Sequence, residues 1–176
     1  MKIAILGAGN MGGAIARGLA TGSMVKAENI TVTARTQATL DRLSADVPDI
    51  HTTLSNREAC EGAAIIMLCI KPWLVQQVLE EIYPAINASN PLIISVAAGL
   101  TFDQLSEFMA GDQRPMARVI PNTAISIKQS PTLVCFNDQM EEAQKALSRL
   151  SSTNSVQPSS STKTIWQLAL PSLPAV

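Results

Sequence analysis

The 176-residue chain predicts an α/β fold with a doubly wound, mostly parallel sheet. Three observations lead there. Short apolar runs alternate with helical patterns over residues 1–150, as β-α units do. Two of those runs, Ala63 to Ile70, apolar throughout, and Leu92 to Ala98, apolar but for Ser95, have the character of parallel strands covered on both faces. The chain opens on MKIAILGAGNMGGAIARG, where an apolar run breaks into glycines and then into a helical pattern.

In that opening stretch Ile3 to Leu6 is the first strand, and Met11, Ile15 and Leu19 space the first helix, which fades near Gly22. Gly7, Gly9 and Gly12 stand at G-x-G-x-x-G spacing. Gly7 allows the turn, Gly9 lets backbone approach a pyrophosphate, and Gly12 lets helix and strand pack closely. Phosphates would lie on the unpaired N–H groups of the helix start.

Ile30 to Ala34 is a β-branched second strand ending in Arg35-Thr36, where an adenosine ribose would lie. An acid there holds the 2′-OH of NAD, whereas a basic or hydroxyl residue suits the 2′-phosphate of NADP. The nearest acid, Glu28, stands before the strand. NADP(H) is therefore expected, with NAD(H) bound more weakly; as a plain surface residue, Arg35 is a solvated loop charge.

Gln37 to Ala45 is helical, Pro48 stops it, and Ile50 to Thr53 is a short strand. Asn56 opens a capping pattern ahead of Glu58 and is read either as a cap or as a cofactor contact. The run Ala63 to Ile70 ends at Lys71-Pro72, at the edge where α/β folds bind ligands. Val75 to Ile86 is a helix, Leu92 to Ala98 a buried strand ending at Gly99, and Thr101 to Met109 a capped helix. Met116 to Ile120 and Thr132 to Phe136 are strands, and Gln139 to Leu150 a polar-faced helix.

Fourteen acidic against thirteen basic residues leave a net charge of −1 and no basic run for a nucleic-acid backbone. Cys60, Cys69 and Cys135 contain no C-x-x-C, and the single His51 decorates a strand start, so neither a disulfide framework nor a metal site is expected. No apolar run is long enough to span a bilayer, and the N-terminus lacks the pattern of a signal peptide, so the expected location is cytoplasmic.

Four segments, GAGNMGGAIARG, TART, CIKPW and RVIPNTAISI, together resemble the pyrroline-5-carboxylate reductase family over roughly residues 1–150. The resemblance implies a Rossmann-like NADP-binding domain with the pyrophosphate on Gly7, Gly9, Asn10, Met11 and Gly12. It puts the adenosine phosphate on Arg35 and Thr36, the nicotinamide by Lys71 and Pro72, and Ala97, Ala98 and Gly99 close to the reacting ring. Ala34 replaces a polar residue that often precedes the arginine. The implied reaction is hydride transfer from NADPH to the imine carbon of 1-pyrroline-5-carboxylate, giving L-proline, and it needs no metal or side-chain nucleophile. Asn122 and Thr123 either lie near that substrate or shape a proline turn.

The family continues into a helical domain that dimerises and completes the substrate pocket. Here residues 151–164 hold nine Ser or Thr, and two prolines interrupt the last twelve residues; composition alone makes 151–176 a flexible tail. Reading the message one nucleotide earlier permits DYMAAGTALASCGI over the same codons, which resembles the family's missing segment. The expectation is therefore a shift of frame around codons 147 to 154, a retained cofactor half and an absent dimerisation domain. Apolar surface left uncovered would favour self-association. Two further readings stand beside the enzyme: a cofactor-binding fragment without turnover, and a related NADP-dependent enzyme of the β-hydroxyacid dehydrogenase or deazaflavin-linked type.

Overall fold

A computed structural model describes residues 1–21, 25–87, 89–120 and 133–140. In chain order the elements are β1 (Ile3–Leu6), α1 (Asn10–Ala20), a 3-10 turn (Ala27–Asn29), β2 (Ile30–Thr33), α2 (Gln37–Asp46), β3 (His51–Thr53) and α3 (Asn56–Cys60). There follow β4 (Ile65–Leu68), α4 (Pro72–Ile86), β5 (Leu92–Ser95), α5 (Phe102–Glu107), β6 (Met116–Ile120) and β7 (Leu133–Phe136). The seven strands form one sheet in the order β3-β2-β1-β4-β5-β6-β7. All neighbours are parallel except β7, which runs antiparallel on β6. This is a Rossmann-like α/β sheet, and its order reverses between β1 and β4.

The alternating sides of the strands divide the core into two layers. Ile3, Ile5, Val32, Met67 and Ile94 pack with Ile15 and Leu19 of α1 and Leu43 of α2. Ala4, Leu6, Ile66, Leu68 and Ile93 pack with α3, with Val75, Leu79 and Ile82 of α4, and with Leu105 of α5. Each fully buried Ile, Leu, Val or Met side chain among them contributes roughly 1.5–3 kcal/mol. β1, β4 and β5 are buried along their whole length, which explains why their sequences carry no polar alternation.

Local chemistry moved several boundaries. Each apolar run shortens where its last residues leave the ladder: β4 stops at Leu68, and β5 stops at Ser95. The cap of α3 is Ser55, whose Oγ accepts from the Glu58 N–H at 3.2 Å, and not Asn56, which is the first helical residue. Pro72 opens α4 at its first turn, where a missing N–H costs nothing. Thr101 closes a complete capping box with Gln104. His51 is exposed at the start of β3, as expected. Gln139 and Met140 lie in a turn; the rest of the expected helix to Leu150, the turn at Asn122 and Thr123, and the stretch 151–176 lie outside the described residues.

Candidate cofactor site

Strand register gathers the candidate residues along one sheet edge. Leu6 pairs with Thr33 on one side and with Leu68 on the other, and Leu68 pairs with Ser95. The segments that follow these residues, Gly7 to Gly9, Ala34 to Thr36, Cys69 to Lys71 and Val96 to Gly99, therefore hang over one edge. It is the C-terminal edge of the parallel strands at the point of reversed order, where open α/β sheets bind ligands.

The glycine turn is pinned from three sides. The Ala8 N–H donates to the Thr33 carbonyl at 2.7 Å, and the Gly7 N–H donates to the same carbonyl at 3.2 Å. Gly7 has φ +105°, and a Cβ there would lie 2.7 Å from the Cys69 carbonyl oxygen. A Cβ at Gly12 would lie 1.8 Å from the Gly7 oxygen, so α1 rests directly on the turn. Gly9 differs from both, because a Cβ there meets nothing within 4 Å. Among the described residues no atom requires glycine at that position, and the open space lies beside the start of α1.

That start carries no side-chain cap. The Gly9, Asn10, Met11 and Gly12 amides donate to no acceptor among the described residues. Asn10 is exposed. Met11 packs partly against the core, so its contribution to a ligand is its backbone N–H. An uncapped start on an eleven-residue helix, beside a glycine open to solvent, fits a pyrophosphate.

Arg35 and Thr36 are exposed just past β2, and Arg35 forms no ion pair among the described residues. Glu28 lies in the 3-10 turn before β2, at the opposite edge, where it pairs with Lys26 at 3.4 Å. Thr36 is the N-cap residue of α2, yet its hydroxyl bonds Thr39 Oγ1 at 2.9 Å and caps no amide. Lys71 precedes α4 with its Nζ 5.9 Å from the ring centre of Trp73, which is 75% exposed. Ala97 points into the core, whereas Ala98 and Gly99 are exposed past β5. An open depression lined by Lys26, Glu28, Asp49 and His51 lies at the wrong edge of the sheet for this ligand.

Sequence reasoning passed over Thr33, Ser55, Glu81 and Trp73. Thr33 left only its place as a signal, a hydroxyl on the last residue of a wholly β-branched strand. Glu81 left none, because its partner Asn56 is distant in sequence.

Burial pushes the thiols of Cys60 and Cys69 up to about 12. At Cys60 the positive charge of Lys2 opposes this shift, and the carboxylate of Glu81 adds to it. Part of the Cys69 residue reaches solvent, but its thiol is desolvated by the surrounding protein. Both are therefore protonated and inert near neutrality, whereas Cys135 is exposed. Labelling the folded chain with a chromogenic disulfide at pH 8 is expected to show one fast thiol, the other two reacting only after denaturation. Fast reaction in Cys135→Ser would contradict this. Among the described residues no cluster of His, Cys, Asp or Glu could hold a metal ion, and no helix is long and apolar enough to cross a membrane.

A profile of the family described as NADP oxidoreductase coenzyme F420-dependent matches residues 2–99. Among curated proteins, the chain is 38% identical to pyrroline-5-carboxylate reductase of Vibrio alginolyticus, over 69% of this chain and 43% of that protein. Among solved structures, a pyrroline-5-carboxylate reductase from Coxiella burnetii superposes with a TM-score of 0.75 at 29% identity, covering 83% of this chain and 53% of that one. Plasmodium falciparum pyrroline carboxylate reductase, solved with NADP bound, gives 0.69 at 27% identity, covering 83% and 52%. The chain spans between 27% and 50% of the length of the first curated relatives it matches.

Proposed function

Because this chain belongs to the NADP oxidoreductase coenzyme F420-dependent family, we propose that it binds NADP(H) in preference to NAD(H). We propose further that its reaction is the reduction of 1-pyrroline-5-carboxylate to L-proline. The observation that carries the cofactor half is Gly9: its open Cβ position beside the uncapped start of α1 is what a pyrophosphate needs and what the fold itself does not. The choice of NADP(H) rests on Arg35 together with the start of α2, a cation and unpaired helix amides in one place, with no acid at that strand end. Asn56 is assigned to the adenosine side, and Lys71, Pro72, Ala98 and Gly99 to the nicotinamide side. Asn122 and Thr123 are assigned to the substrate.

When bound, NADPH supplies the hydride. The chain's part is to hold the nicotinamide edge against the imine carbon at about 3–3.5 Å and to keep water out. Residues 1–150 form the cofactor unit in this reading. A second reading is a cofactor-binding unit without turnover. A cytoplasmic location goes with either reading, and a small-molecule substrate with the first.

Titration of the purified chain with NADPH and NADH by nicotinamide fluorescence, followed by 1-pyrroline-5-carboxylate, tests both halves. Arg35→Ala is expected to weaken NADPH roughly 10- to 100-fold, the worth of a charge-assisted phosphate contact, and to leave NADH nearly unchanged. Equal losses for the two nucleotides would overturn the assignment of Arg35. Oxidation of NADPH on adding substrate establishes the reductase; tight binding without oxidation establishes the second reading.

A further inference from the structure

Thr33 ends β2 and is 2% exposed, on the face of the sheet covered by α3 and α4. Its Oγ1 donates to Asn56 Oδ1 at 2.8 Å and accepts from the Gly7 N–H at 3.3 Å. The Asn56 Nδ2 in turn donates to Glu81 Oε2 on α4 at 3.2 Å. One hydroxyl thus joins the glycine turn to the side chain of the first residue of α3.

The two partners determine which way the Asn56 amide faces. A flipped amide would set its oxygen against the Glu81 carboxylate, two acceptors with no proton between them. It would also take from the Thr33 hydroxyl proton the acceptor it now has. The orientation present gives the amide oxygen the Thr33 hydroxyl proton and gives one amide hydrogen the Glu81 carboxylate. It leaves the second Nδ2 hydrogen without an acceptor among the described residues, on a half-buried side chain beside the C-terminal sheet edge.

We propose that Thr33 is a positioning residue of the cofactor site: its hydroxyl locks the Asn56 amide so that one N–H faces the dinucleotide, in register with the pyrophosphate turn. This rests on the assignment of Asn56 to the adenosine side made above. The ligand group it serves is an acceptor oxygen of the ribose or its phosphate. Thr33 touches no ligand itself and acts through Asn56.

The test compares Thr33→Val, Thr33→Ser, Asn56→Ala and the Thr33→Val/Asn56→Ala pair, with NADPH affinity and thermal midpoint read on each purified chain. Valine keeps the shape and the strand preference, and the Gly7 N–H keeps its bond to the Thr33 carbonyl, so folding is retained. Thr33→Val is expected to weaken NADPH about tenfold with no fall in midpoint. Thr33→Ser is expected to bind within about twofold of the parent, because it restores the hydroxyl. The double variant is expected to bind no more weakly than Asn56→Ala, since the valine has nothing left to misplace.

Weak binding by Asn56→Ala with parental binding by Thr33→Val overturns the role of Thr33 and spares that of Asn56. Parental binding by Asn56→Ala overturns the assignment of Asn56, and the role of Thr33 with it. Fully additive losses, or failure of serine to rescue, show that Thr33 acts by another route and also overturn the proposal.

Discussion

Gly12→Ala is expected to lose NADPH binding by roughly 100-fold or more, the scale of an ångström-sized misplacement of binding groups, and to unfold at a markedly lower temperature. The added Cβ would sit 1.8 Å from the Gly7 oxygen and 2.9 Å from the Cys69 Cβ. Neither neighbour can yield cheaply. The Gly7 oxygen is backbone, and Gly7 is itself wedged against the Cys69 carbonyl at φ +105°. The only relief is to lift α1 off the sheet, which disturbs the packing of Ile15 and Leu19 and carries the helix amides away from the turn. Overpacking of this kind costs roughly 1–3 kcal/mol and occasionally more.

Gly9→Ala provides the contrast that separates fold from ligand. Its Cβ meets nothing within 4 Å, and its φ of −69° suits alanine. Its thermal midpoint is expected to hold or to rise slightly, because alanine narrows the unfolded ensemble, while NADPH binding is lost to the methyl group. Calorimetry and fluorescence titration of the two variants check both statements. Parental NADPH affinity in Gly9→Ala would remove the main support for a pyrophosphate at that position.

Asp112→Ala is expected to destabilise the domain by roughly 3 kcal/mol, the lower end of the cost of breaking a buried ion pair. For a domain of this size that is a fall in midpoint of roughly 6–12 °C. Arg114 is 1% exposed and pairs with Asp112. It also donates to the Ile86 carbonyl at 3.3 Å and lies 5.7 Å from the centre of the Tyr83 ring. Removing the carboxylate leaves a guanidinium in the interior with no anion. The figure is set low because Asp112 is itself 21% exposed, and water partly replaces it.

Removing both needs at once is expected to cost less. Arg114→Met keeps volume and leaves no buried charge, so its loss is expected to be smaller than that of Asp112→Ala. Asp112→Asn, which retains an acceptor oxygen, should fall between the parent and Asp112→Ala. Urea denaturation gives the order directly, and a larger loss in Arg114→Met than in Asp112→Ala would show that the charge is not what holds this corner. The corner matters because Ser106 Oγ donates to the Asp112 carbonyl at 2.8 Å, and Asn137 bridges Arg114 and Met116. Together these bonds set where β6 starts, and so the register Ser95–Arg118 at the sheet edge.

Much of the fold was legible in the residues. A four-residue apolar run followed by Gly-x-Gly and a helical period has one local solution, so β1, the turn and α1 stand within a residue or two of expectation. The unbroken runs around Ile65–Leu68 and Leu92–Ser95 could only be central strands. Their ends were overestimated because apolar residues past the ladder, such as Ile70 and Ala97, remain in the core without belonging to a strand. For Asn56 the sequence left a cap and a cofactor contact both open, because Asn and Ser are both good caps; Ser55 accepts the amide, which releases Asn56 for Thr33 and Glu81. The shared position of the candidate residues at the glycine turn and at Arg35 was legible for a different reason. They follow their strands directly, so strand direction alone carries them to one edge.

What the sequence by itself determined is therefore whatever depends on neighbours a few residues away: strand, turn and helix, the caps, and which side chains stand at the strand exits. Tertiary structure decided what depends on groups 23 to 31 positions apart. Examples are the Thr33 hydroxyl on Asn56, the Asn56 amide on Glu81 and the burial of Arg114 over Tyr83. A hydrogen bond or a buried charge is decided within a few ångströms. The strand order, in which β2 and β4 both flank β1 and β5 and β6 follow β4, brings those distant groups that close.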